Sequence, residues 1–166
     1  KDFPSSMRVV ADHVKSATML LTDGVIPAND GRGYVLRRII RRGVRHLDVL
    51  GIKEATMHKL VPIVFNILGE EYPQNLANQA LAENYLKLEE EKFRQTLSTG
   101  LDLLMGEINK TKNKTLAGDV AFKLYDTYGF PVDLTADVVR ERGLTVDMEG
   151  FEIKMKEQKE RARKAG

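Results

Sequence analysis

From Pro73 to about Lys110 the chain has no further proline and keeps a helical pattern throughout. A run of that length reads as one long helix in a 166-residue protein. Its apolar stripe reads Leu81, Tyr85, Leu88, then re-phases to Phe93, Leu97, Leu101, Leu104 and Ile108. Glu89-Glu90-Glu91-Lys92 reads as its solvated face. The other segments are helical too. Pro4 to Leu21 places Val9, Val10, His13, Val14, Ala17, Leu20 and Leu21 at helical spacing, with Pro4 suited to a first turn. Thr22 to Gly31 is a loop rich in breakers. A second helix runs from about Arg32 to Leu50 and stops at Gly51. Thr56 is placed to cap a third, very apolar helix that ends at Leu68 with Gly69 as its stop; Pro62 falls where it would kink it. This third helix is expected to be buried.

Beyond the polar connector Lys110 to Gly118 come a short helix through Tyr128, a Gly129-Phe130-Pro131 turn and a short helix to Arg142. A last helix starts near Asp147. Asp133 is read as the cap of the helix after Pro131, and Asp137 with Arg140 as a helix-surface pair. Val25-Ile26 and Leu144-Thr145-Val146 are too short for a sheet. The expected fold is all-α, a helical bundle with one long helix. Residues 1–112 form the main sublobe and 113–166 a smaller C-terminal helical sublobe.

Composition narrows the chemistry. There is no cysteine, which excludes disulfides, thiolate metal sites and a cysteine nucleophile, and fits an intracellular protein. His13, His46 and His58 fall in different helices without metal-ligand spacing, so no metal is expected. No apolar run reaches the roughly 18 residues that span a bilayer, so no membrane partner is expected. A first residue of Lys1 rather than Met suggests a piece of something longer.

The formal charge of +2 is uninformative, but its distribution is not. Arg32, Arg37, Arg38, Arg41, Arg42 and Arg45 fall within one stretch whose only acid is Asp30. In the helix after Gly33, Leu36, Ile39, Ile40, Gly43 and Leu47 make an apolar stripe, while Arg38, Arg41, Arg42 and Arg45 make a second. No acid at neighbouring i,i+4 sites neutralises them, and forked guanidinium groups suit phosphate oxygens. The alternative is that acids from the long helix pair with them. Asn29 lies in the loop that leads into this helix; its amide can donate and accept beside the basic surface. The same loop also reads as an ordinary turn and N-cap, and Gly31-Arg32-Gly33 lacks the Walker spacing of a phosphate-binding loop. Asp126 lies roughly opposite Leu124 on its helix and points outward. The basic end of the last helix, Lys154 to Lys164, reads as an exposed helix or a linker.

Three ordered stretches carry a resemblance: Arg8-Val9-Val10-Ala11-Asp12-His13; Asp23-Gly24 with Pro27 through Arg42; and Ala121 through Thr135, which contains Leu124-Tyr125-Asp126. In these the chain resembles the alanyl-tRNA synthetases, while the middle, about 52–113, matches only in pattern. The class II catalytic motifs and the editing domain's metal ligands are missing. The resemblance therefore implies the helical tRNA-recognition region between those two domains, inactive alone. It would bind the tRNA(Ala) acceptor stem, beside the catalytic and editing domains of the same cytoplasmic chain. ATP, Mg and Zn are implied for the whole enzyme and no cofactor for this region. It also implies that Asn29 and Asp126 read a G·U wobble pair in the RNA minor groove, converging from two sublobes, while Arg32, Arg37, Arg38, Arg41, Arg42 and Arg45 hold phosphates. The rival readings are a helical DNA-binding domain and a protein-interaction scaffold.

Overall fold

The computed structural model describes residues 3–68 and 76–166. Its element order is all-helical apart from two two-residue strands, as expected: α1 (Phe3–Thr22), α2 (Gly31–Val49), a 3₁₀ turn (Met57–Leu60), α3 (Val61–Leu68), α4 (Leu76–Lys110), β1 (Thr115–Leu116), α5 (Gly118–Tyr128), α6 (Val132–Arg140), β2 (Thr145–Val146) and α7 (Met148–Ala165). The chain forms two compact units, 1–95 and 96–166, so the division falls inside α4. The expected starting residue Pro73 and the expected stop Gly69 lie outside the described residues.

In the first unit α1 buries Val10, Val14, Ala17 and Leu21, and α2 buries Leu36, Ile40, Val44 and Leu47. These two helices make the main packing of the unit. The loop between them turns at Gly24, with φ 92°, a left-handed conformation that favours glycine. It then lies against the start of α2 at Gly33. A side chain there would strike the Ile26 carbonyl oxygen and come within 2.6 Å of the Ala28 Cβ. Absence of a side chain at Gly33 thus seats Pro27, Ala28 and Asn29 on the mouth of the arginine helix.

The third helix departs from expectation in three ways. Thr56 precedes the 3₁₀ turn without capping it, since its hydroxyl donates to the Glu54 carbonyl at 2.8 Å. Pro62 is the second residue of α3, where a missing N–H costs no helical bond, so it starts the helix instead of kinking it. Only one side of α3 is buried. Val61, Val64 and Phe65 are covered, whereas Ile63 and Ile67 are 52% and 73% exposed.

Helix α4 corrects two further readings. Its buried positions are Ala82, Leu86, Glu89, Glu90, Phe93, Leu97, Leu104 and Ile108, a single stripe without a change of phase. Leu81 and Leu88 are exposed. The stripe breaks in the sequence only when Glu89 and Glu90 are counted as solvated, and both are buried.

In the second unit β1 and β2 pair in parallel, Thr115 with Thr145 and Leu116 with Val146. This ladder uses residues that read as connector and as too short for a sheet. Leu116 is fully buried, which anchors it. Helix α5 packs on α6 and α7. Phe122, Tyr125 and Phe151 form an aromatic cluster, with Tyr125 and Phe151 edge to face at 5.9 Å. The residue that precedes α6 is Pro131 rather than Asp133, which sits in its first turn, where a carboxylate suits the helix dipole. Asp137 and Arg140 make the expected surface pair at 2.9 Å. Asp147 caps α7 by accepting from the Gly150 amide.

Candidate nucleic-acid interface

Helix α2 carries its arginines on two lines of i,i+4 spacing, and they meet different surroundings. Arg37, Arg41 and Arg45 follow one line, on which Arg41 and Arg45 are each only 6% exposed. Arg38 and Arg42 follow the other and are half-buried; Arg32, at the helix start, is exposed. The second stripe read from the sequence is therefore split between interior and surface.

The inner line is held by an acid of α4. Glu89 Oε2 accepts from Arg37 Nε at 3.1 Å and from Arg41 Nε at 2.7 Å. Arg37 Nη2 reaches the other oxygen, Oε1, at 3.5 Å, and the Arg41 guanidinium lies 5.0 Å from the centre of the Phe93 ring. A buried carboxylate is tolerable only with charge-assisted partners, and a buried guanidinium likewise. Two guanidinium groups share the one Glu89 carboxylate. Pairing with acids of the long helix, one of the two alternatives left open by the sequence, thus holds for Arg37 and Arg41.

Asn29 joins the same network. Arg37 Nη1 donates to Asn29 Oδ1 at 2.6 Å, and the Asn29 side chain is exposed at the loop. Asn29, Arg37, Glu89 and Arg41 are linked in one chain of hydrogen bonds. The neighbouring Glu90 is fully buried and holds the next segment. Its Oε1 accepts from the Thr56 and Met57 amides, both at 2.9 Å, and its Oε2 accepts from Arg94 Nε at 2.8 Å. Arg94 in turn donates to the Ile52 carbonyl at 3.1 Å.

Asp126 belongs to the second unit. It is exposed on α5, and its Oδ1 accepts a hydrogen bond from Gln158 Nε2 of α7. The outward direction read from the sequence holds, but the carboxylate also has a protein partner. Neither Glu89 nor Gln158 was identified as a functional neighbour from the sequence. For Glu89 a signal existed, since it lies three residues after Leu86 and four before Phe93, on the phase of the buried stripe. For Gln158 no local signal existed, because its partner lies 32 residues away.

Among the described residues no cluster of three or more His, Cys, Asp and Glu side chains could hold a metal ion, and no helix is long and apolar enough to cross a membrane. In the first unit the exposed Asn29 amide and the solvent-accessible guanidinium groups of α2 can hydrogen bond a polar, anionic partner; in the second unit the exposed Asp126 carboxylate can accept hydrogen bonds.

Comparison with known proteins agrees with the motifs. The chain is 56% identical over 161 residues to the alanine–tRNA ligase of Shewanella loihica, covering 97% of this chain and 18% of the relative. It is 55% identical over 157 residues to the alanine–tRNA ligase of Cereibacter sphaeroides, covering 94% of this chain and 18% of the relative. The chain therefore spans about a fifth of the length of these relatives. The family described as tRNA synthetases class II (A) matches residues 1–166 throughout. The chain belongs to the class II tRNA synthetases (A).

Proposed function

We propose that this chain is the tRNA-recognition region of an alanine–tRNA ligase, binding the acceptor stem and reading a G·U wobble pair from its minor groove. The observation that carries the reading is the exposed amide of Asn29, seated at the mouth of the arginine helix and tied to its guanidinium network. A-form RNA presents a wide, shallow minor groove and hides its major groove. In a G·U wobble the guanine amino group lacks a pairing partner and stays a free donor, whereas G·C engages it. The exposed Asp126 carboxylate is suited to accept from that amino group, and Asn29 to bond the same pair. Both residues must reach one base pair when the stem is bound.

Solvent access narrows the phosphate contacts. Arg32, Arg38 and Arg42 are the arginines that reach solvent and are assigned to phosphate oxygens, while Arg37, Arg41 and Arg45 are largely or fully taken up by the interior. Adenylation with ATP and magnesium, and zinc-dependent editing, would lie in other parts of the enzyme; no step here passes through those groups.

The test is binding to acceptor-stem hairpins. Asp126→Ala should cost about 1–3 kcal/mol on the wobble stem and little on its G·C counterpart. If Asp126→Ala weakened both stems equally, Asp126 would not be a base reader.

A further inference from the structure

Arg37 has its donors divided between two acceptors, Glu89 and Asn29. Its Nε and Nη2 face the two carboxylate oxygens of Glu89, which is 5% exposed, and its Nη1 faces Asn29 Oδ1. A guanidinium has five N–H donors and no acceptor. Only the oxygen of the Asn29 amide can therefore face it, whichever way the amide would otherwise turn. The amide nitrogen, with two donors, is left on the other side of the side chain, where no partner is present among the described residues.

We infer that Arg37 is a positioning residue: clamped by Glu89, it locks Asn29 so that the amide presents donors only. This rests on the proposed reading of the wobble pair and adds a chemical assignment to it. A donor cannot bond the guanine amino group, which is itself a donor. That group falls to Asp126 alone. Asn29 takes a minor-groove acceptor, the pyrimidine O2 or the purine N3. Such acceptors exist in every base pair, so Asn29 tests where the acceptor lies, and wobble geometry displaces it. An amide free to rotate would lose this selectivity by offering its oxygen to the amino group of other pairs. Arg37 thus serves the readout and not the phosphate backbone.

A double-mutant cycle on the full 166-residue chain separates these roles, using acceptor-stem hairpins with G·U or G·C and a salt series. Arg37→Met keeps the stem of the side chain and removes the donors. It should weaken wobble-stem binding by about 2- to 10-fold, the range of one hydrogen bond. The loss should match that of Asn29→Ala, and the double variant should bind no worse than either. The salt slope should stay that of the wild type. Arg37→Lys keeps the charge but cannot reproduce the planar fork, so it should behave like Arg37→Met. Loss by Arg37→Met on both stems with a salt slope shallower by about one, restored by Arg37→Lys, would make Arg37 a phosphate contact and overturn the inference. Full additivity with Asn29→Ala would overturn it as well. Wild-type binding by Asn29→Ala would instead defeat the base-reading role of Asn29 itself.

Discussion

A carboxylate without solvent exposure must be surrounded by donors, and Glu90 is. It accepts from two backbone amides and from Arg94, which also holds the Ile52 carbonyl. Removing it leaves the Thr56 and Met57 amides and the Arg94 guanidinium without their acceptor. Glu90→Ala should lower stability by about 3–5 kcal/mol, and Glu90→Gln, which keeps one acceptor oxygen, by less. Urea unfolding midpoints measure this, and a loss of under about 1 kcal/mol for Glu90→Ala would show that Glu90 does not hold this segment. At this scale the candidate site was partly legible. Asn29 and Asp126 stand out by motif and by direction, yet their partners do not. A run of Glu89-Glu90-Glu91 carries the signature of a wet face, and only the buried phase of the helix reveals that two of the three acids turn inward. The split of the arginines follows from the same fact, since an inward acid draws Arg37 and Arg41 toward it.

Helix α4 was legible as one long helix because no proline interrupts it, but its buried face and its close approaches were not. Two glycines within it face opposite surroundings. A side chain at Gly100 would come within 2.6 Å of the fully buried Phe130 ring, whereas at Gly106 it would meet nothing within 4 Å. Gly100→Ala should therefore destabilise by about 1–3 kcal/mol through overpacking. Gly106→Ala should stabilise by about 0.5–1 kcal/mol through helix propensity. Thermal unfolding of the two variants gives the signs directly, and equal shifts would deny the contact with Phe130. The β1 and β2 pairing escaped the sequence because a two-residue ladder has no period to detect. Leu116 alone, buried at its end, marks the place.

For the whole molecule, the charges of 26 basic and 24 acidic residues nearly cancel, so binding rests on where the cations remain accessible. With Arg32, Arg38 and Arg42 as the proposed phosphate contacts, roughly three in number, log affinity should fall with log salt at a slope of about −2 to −3. Arg42→Gln should weaken all stems by a similar factor and shrink that slope by about one; an unchanged slope would take Arg42 out of the interface. The all-α class was readable from helical spacing alone. Division at residue 95 was not, because it lies inside an unbroken helix with no proline to mark it. The central claim is that the chain recognises the unpaired amino group of a wobble guanine, and one substitution in the RNA isolates that group. Inosine is guanosine without the 2-amino group, so stems bearing G·U and I·U differ by one donor. Binding of the chain should weaken by about 5- to 150-fold on the I·U stem, equivalent to 1–3 kcal/mol, and Asp126→Ala should bind the two stems alike. Equal affinity of the unaltered chain for G·U and I·U would contradict the claim.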